Sequence, residues 1–217
     1  MLTQQLEALY TENEARFELV RETLKDHDIH GPYLSSPTEL YLLKANKLLI
    51  IGQETYGWKN HPDIISQMKS YEEFQVGKTH PSPFWSVARK MEEALGNARY
   101  SCAALNLNKF DVRGGRPKTE EQIGPIRELD DIIIEEIKII NPTICVFFTS
   151  HNSDYRLKNL YRDLEFIAID SWNVKELCVL RHPNLPKFTF RTYHPGFLRR
   201  KGLVNKLVDS VLSQVSL

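Results

Sequence analysis

The sequence predicts an α/β protein, a three-layer sandwich with a mostly parallel central sheet flanked by helices and preceded by an N-terminal helix. Three observations carry that prediction. Short apolar runs of strand length alternate with longer segments of helical periodicity. The runs are apolar at nearly every position, as in strands covered on both faces. The chain has 217 residues, 41% apolar and 26% charged, the composition of an ordinary globular domain. A chain of this length buries most of its unfolded surface in one domain. Residues 1–45 are therefore read as a helical extension and 46–217 as the core of a single domain.

Leu6, Leu9, Tyr10, Phe17, Val20 and Leu24 recur at three- and four-residue spacing, predicting one long amphipathic helix from Thr3 to His27. The connection GPYLSSP leads to KLLIIG, a buried strand ending at Gly52, and to the polar loop GQETYGWKNHP. Beyond Pro83 the segment PFWSVARKMEEALG has helical spacing through Val87, Met91 and Leu95 and stops at Gly96. SCAALNLNKF is a second strand, polar at its carboxyl end. RGGRPKT is a loop, and EEQIGPIRELDDIIIEEIKIINP is a helix with Pro142 beyond its end. TICVFFTS, LEFIAI, ELCVL and KFTFRT supply four further strands. A final helix runs through Leu207 and Leu212.

The charge is neutral overall, with 28 basic and 28 acidic residues, which at face value argues against a nucleic-acid binder. The neutrality is an average over segregated stretches. Arg181 to Lys206 holds seven basic residues and no acidic one, whereas Glu120 to Glu136 holds seven acidic residues against Arg127 alone. A basic face around TYHPGFLRRK is thus compatible with neutrality, at the cost of weak, salt-sensitive non-specific binding. Cys102, Cys145 and Cys178 are widely spaced and lie in apolar runs, so they are read as buried hydrophobes rather than disulfide or metal ligands. The acidic N-terminus lacks signal-peptide character and no apolar run approaches a membrane span, so a cytoplasmic protein without a membrane partner is expected.

Ligands of parallel α/β sheets gather outside the carboxyl ends of the strands. Those ends carry GQETYGW, NLNKF, TSHN and TYHPGFLRR, bringing Glu54, Gln53, Asn106, Asn108, Tyr56, Trp58, His151 and His194 into one candidate set. The mixture suits recognition of a planar ligand and one hydrolytic step without metal or cofactor. No GxGxxG or GxxxxGK[ST] pattern is present to cradle a phosphate. His61 and His151 are expected at the surface.

GQETYGW resembles the GQDPYHG motif of the uracil-DNA glycosylase superfamily, and TYHPGFLRR resembles its HPSPLS-type motif. The aromatic loop FQVGKTHPSPFW, the strand ALNLNKF and the helix-to-strand passage NPTICVFFTS follow the family's order, so the likeness spans Lys47 to Gly202. The resemblance implies a uracil-DNA glycosylase-like fold and a monofunctional DNA glycosylase acting as a monomer on duplex or single-stranded DNA, in repair or in defence against phage. It implies catalytic roles for Glu54, which would activate water, and for His194, which would stabilise the departing base. Base binding is implied for Gln53, Tyr56 and Asn106 and for a stacking aromatic. Phe74 is the first choice for that aromatic and Phe84 the second. Asn108 competes with Asn106. Gly196, Leu198, Arg199, Arg200 and Lys201 are implied as DNA contacts, with Leu198 as the wedge entering the duplex and the basic trio on phosphates.

Each of these residues has a plainer reading: Glu54 as a loop acid, Tyr56 as a lid, Phe84 and Leu198 as core, His194 as a satisfied structural histidine, the basic trio as a solvated helix face. The sequence also departs from the family pattern. Glu54 is one methylene longer than the family's aspartate. Gly57 and Gly196 remove bulk, which suggests a larger modified base, and the low cysteine count excludes the iron–sulfur branch. A non-catalytic DNA- or nucleotide-binding module and an unrelated small-molecule hydrolase or transferase are the competing classes.

Overall fold

The computed structural model describes residues 1–215. The N-terminal segment forms two helices, α1 (Leu2–Glu12) and α2 (Glu14–Thr23), where periodicity alone predicts one. The break is at Asn13, whose amide donates back to the Leu9 carbonyl at 2.8 Å and accepts from Arg16 at 2.7 Å. An asparagine that satisfies nearby polar groups itself competes with the helical ladder. The expected apolar face is nonetheless the buried one, with Leu6, Tyr10, Phe17, Val20 and Leu24 in the same core as the sheet.

A short antiparallel pair joins distant parts of the chain, β1 (Ile29–His30) against β4 (Asp111–Val112), and a single turn follows β1, α3 (Glu39–Leu42). Then come β2 (Leu48–Gly52), α4 (Ile64–Phe74), α5 (Pro83–Ala94) and β3 (Ala103–Asn106). Asp63 caps α4 by accepting from Ser66 N at 2.8 Å, and Pro83 opens α5 at a position where its missing N–H costs nothing. After β4 the single helix expected from Glu120 onward is divided into α6 (Glu120–Arg127) and α7 (Asp130–Ile140). The carbonyl of Glu128, freed at the break, accepts from the Arg16 guanidinium, which also pairs with Asp131 at 2.6 Å. The chain closes with β5 (Ile144–Phe147), α8 (Asp154–Leu160), β6 (Glu165–Ala168), β7 (Leu177–Arg181), β8 (Phe188–Thr192), α9 (Pro195–Arg200) and α10 (Val204–Val215).

Six strands form one sheet in the order β3-β2-β5-β8-β7-β6. The four strands β3, β2, β5 and β8 run parallel, while β7 and β6 are antiparallel to their neighbours. The sheet is therefore mixed rather than mostly parallel. The reason lies in the connections: residues 169–176 and 182–187 carry no helix, and such short links join strands only in antiparallel fashion. Side chains alternate between two cores. Leu49, Ile51, Cys145 and Phe147 face α1, α2, α6 and α7, whereas Leu48, Ile50, Ile144 and Val146 face α5, α9 and α10. All three cysteines are free and buried. No helix among the described residues is long and apolar enough to cross a membrane.

Chain order reverses beside β2. The β2-to-β3 connection moves to one side, and the β3-to-β5 connection returns past β2 through α6 and α7. A crevice opens at such a switch point, outside the carboxyl ends of the strands.

Candidate functional site

The four parallel strands end on the same edge, so the segments following β2, β3, β5 and β8 meet there. Backbone bonds continue the β2–β3 ladder past the last strand residues, from Leu107 N to Gly52 O at 3.0 Å and from Asn108 N to Gln53 O at 2.7 Å. Gln53 is turned toward β5 and donates its amide to Thr149 O at 2.9 Å. Gly52 stands opposite Asn106 in register. A Cβ at Gly52 would collide with Asn106 Oδ1 and would approach the Phe84 ring at 3.4 Å. The glycine therefore lets the Asn106 amide and the Phe84 ring close over the end of β2.

The Phe84 ring lies 5.8 Å from His194 and 5.7 Å from Phe148. His194 caps the short helix α9, with Nδ1 accepting from Gly196 N at 3.1 Å. An accepting Nδ1 assigns the proton of the neutral ring to Nε2, leaving that N–H as a donor for a ligand. Burial, reinforced by the Arg116 and Arg200 charges, pushes the His194 pKa below its ordinary value. Gly196 holds close quarters here, since a Cβ would stand 3.3 Å from His194 Nδ1.

Glu54 is set by a chain of polar contacts. Its Oε2 accepts from Asn108 Nδ2 at 3.2 Å and lies 3.6 Å from Arg116 Nε. Asn108 Oδ1 in turn accepts from Arg156 Nη1 at 2.7 Å, so the Asn108 amide can present only its NH₂ to Glu54. Arg156 is held by the buried Asp130 carboxylate and by Leu107 O. Burial pushes the Glu54 pKa up, and Arg116 and Asn108 oppose that rise by favouring the charged form.

The loop that carries Glu54 is fastened by Asp111, a fully buried carboxylate at the start of β4. Asp111 Oδ2 accepts from Thr55 Oγ1 at 2.6 Å, Gly57 N at 3.0 Å and Trp58 N at 3.1 Å. Its Oδ1 meets Gly114 N and His30 Nδ1, each at 2.9 Å. Gly57 adopts φ +72°, a left-handed turn with open space around a hypothetical Cβ. Its glycine answers a backbone requirement and does not by itself enlarge a pocket.

The structure thus brings Gln53, Glu54, Phe84, Asn106, His194, Gly196 and Arg200 to one edge and leaves other candidates outside. Tyr56 is 92% exposed and points into solvent. Phe74 packs in an aromatic cluster with Trp58, His80 and Trp85, behind Phe84. Leu198 is fully buried in the core beneath α9. A wedge has to protrude, so Leu198 stands as a packing residue. Arg199 and Lys201 lie on the exposed side of α9. His61 and His151, expected at the surface, are partly buried. His61 Nε2 meets Ser70 Oγ at 2.7 Å, and His151 packs edge-on against Tyr193.

Sequence reasoning missed Asp111, Arg116 and the Asp130–Arg156–Asn108 chain. Asp111 had a signal, an acid set directly between the apolar Phe110 and Val112. Arg156 and Asp130 had none, because their pairing is made by tertiary contact between α7 and α8. Among the described residues, no three His, Cys, Asp or Glu side chains are placed to hold a metal ion.

Fold and site together define an α/β protein with a polar, partly aromatic cluster of side chains at the switch point of a mixed sheet. Compared with known proteins, the chain matches no family model and no curated sequence.

Proposed function

We propose that this chain is a monofunctional DNA glycosylase that takes a uracil-like or otherwise modified pyrimidine out of DNA and hydrolyses its N-glycosidic bond. The observation that carries the reading is the convergence at one sheet edge of a held carboxylate, a neutral histidine with a free Nε2–H, an asparagine amide and an aromatic ring. A reaction of this class needs those groups. Glu54 orients a water and accepts its proton as the water attacks C1′. The bond between C1′ and the ring nitrogen breaks, the base departs with the electron pair, and the His194 Nε2–H steadies the charge on its carbonyl oxygen. Asn106 donates and accepts at the base edge while Phe84 offers a stacking face. The abasic sugar retains the new hydroxyl.

Within this reading, a base with a bulky 5-substituent, such as occurs in modified phage DNA, is favoured over uracil by the outward position of Tyr56. In the family it resembles, the matching tyrosine closes that side of the pocket, whereas here Tyr56 is turned out into solvent. A panel of duplex and single-stranded oligonucleotides carrying uracil, hydroxymethyluracil or modified cytosines, followed by alkaline cleavage, tests both. Scission at the modified position is expected, with the bulkier bases ahead, and Glu54→Gln is expected to slow it by about 10²–10⁴-fold. No scission on any substrate would sink the enzyme. DNA binding that Glu54→Gln leaves unaltered, with no excision, would favour a non-catalytic module.

A further inference from the structure

We propose that residues 113–118, the loop between β4 and α6, form a cationic arm that grips a backbone phosphate of bound DNA at the mouth of the strand-end site, with Arg116 exchanging the Glu54 carboxylate for that phosphate. The inference rests on the glycosylase reading and assigns its partner contact to a loop outside the resembling motifs.

The loop is built to present charge from a fixed backbone. Arg113 and Gly114 are both left-handed, at φ +52° and +66°. Val112 and Gly115 exchange backbone bonds at 2.9 and 3.0 Å, and Arg113 N donates to Asp28 O at 2.9 Å. Asp111 fastens Gly114, and Pro117 is buried. From Arg113 to Lys118 there are three cations and no acid, and all three cations are exposed.

Arg116 is the pivotal member. Its side chain is 44% exposed, and its 3.6 Å approach to Glu54 exceeds a good charge-assisted hydrogen bond. The guanidinium end of this loose contact is half exposed and free to swing outward, and the largely buried Glu54 keeps the Asn108 amide when it does. A phosphate offers the guanidinium two parallel bonds in place of this single loose contact. From the other side, Arg200 reaches Gly196, where a Cβ would lie 3.9 Å from its Nη1. The Arg116 and Arg200 charges, from two separate elements, both help to hold the His194 pKa down. Among the described residues, Arg113, Lys118, Arg199, Arg200 and Lys201 form no ion pair. The mouth therefore carries more positive charge than Glu54 alone requires, and a polymer of phosphates answers that surplus.

Fluorescence anisotropy with a labelled oligonucleotide carrying a tetrahydrofuran abasic analogue, in single-stranded and duplex form, tests the arm over about 50–200 mM salt. Arg116→Gln is expected to weaken binding about five- to tenfold at the low end and to flatten the log–log salt slope by about 0.7–0.9. Arg116→Lys should keep the slope, and Arg113→Gln and Lys118→Gln should flatten it by less. Wild-type binding with an unchanged slope in Arg116→Gln overturns the arm and leaves the glycosylase reading standing. An unchanged slope with the acid limb of excision moved to higher pH makes Arg116 only a neutraliser of Glu54, which also overturns the proposal. No wild-type binding to either oligonucleotide overturns both readings.

Discussion

At the scale of single residues, Glu54 and His194 have been moved toward each other in proton affinity. Burial raises Glu54 above its ordinary 4.5 and lowers His194 below its ordinary 6.5. The proposed chemistry needs Glu54 charged and His194 neutral. Lowering the pH protonates both, so both losses fall on the acid side. Excision is expected to be flat through neutral and mildly alkaline pH, with one acid limb that lies above the ordinary carboxylate range because burial raises Glu54. His194→Gln should leave a slower enzyme whose limb is set by Glu54 alone. A limb lying above neutral pH in the wild type would refute these roles. At this scale the sequence told residue types better than directions. It singled out Glu54, Asn106 and His194, but whether Tyr56 points outward, or whether Phe84 rather than Phe74 faces His194, depends on rotamers and on the tilt of α5. Leu198 illustrates the same limit, because a leucine behind an exposed basic pair reads as a wedge or as core until its burial is known.

At the scale of elements, Asn108 joins the end of β3 to α7 and α8 through Arg156 and Asp130. Arg156 fixes the orientation of the Asn108 amide, and Asn108 holds Glu54, so this chain makes Asn108 a positioning residue. Asn108→Asp keeps an acceptor for Arg156 but sets a second carboxylate against Glu54. The acid limb is then expected to move upward by about one pH unit, measured as excision rate against pH on the best substrate. If Asn108 only packs the strand end, the melting temperature falls and the limb stays where it was. The strands of the large sheet were legible as apolar runs, since KLLIIG, SCAALNLNKF, TICVFFTS, LEFIAI and KFTFRT contain the strands observed and ELCVL stops one residue short of its strand's end at Arg181. Their directions were less so, because alternation with helices fails after α8, where β6, β7 and β8 follow one another through short links. Helices α4 and α8 went unread beside loops rich in polar residues; the break at Asn13 depends on that side chain's own bonds to Leu9 and Arg16, and the one at Glu128 is met by Arg16 from another helix.

At the scale of the molecule, the neutral charge is divided between layers. Helices α1, α2, α6 and α7, on one face of the sheet, carry eleven acidic and four basic residues, while α5, α9 and α10 on the other carry three acidic and five basic. The site edge adds Arg113, Arg116 and Lys118. Deep in the acidic layer one ion pair ties the parts together. Lys109 Nζ, just beyond β3, donates to both Glu136 oxygens at 2.6 Å, and Tyr10 of α1 donates to the same carboxylate at 2.7 Å while accepting from Ser35 N at 3.0 Å. Lys109 and Glu136 are both fully buried. Removing one member of such a pair strands the other. Lys109→Met is therefore expected to cost about 3–5 kcal/mol at neutral pH, seen as a fall in melting temperature on the order of 10 °C for a chain of this size. Burial already raises the pKa of Glu136, and loss of the lysine raises it further. A raised carboxyl pKa in the folded state lowers stability as pH rises through the interval between unfolded and folded values, so the deficit should shrink on acidification as Glu136 takes up its proton. Melting curves at about pH 5 and about pH 8 measure this. The double variant Lys109→Met, Glu136→Leu should recover much of the loss, because a well-filled apolar site replaces a buried pair at little cost. A deficit equal at both pH values, and undiminished in the double variant, would mean that Lys109 acts by packing between β3 and α7 rather than by charge.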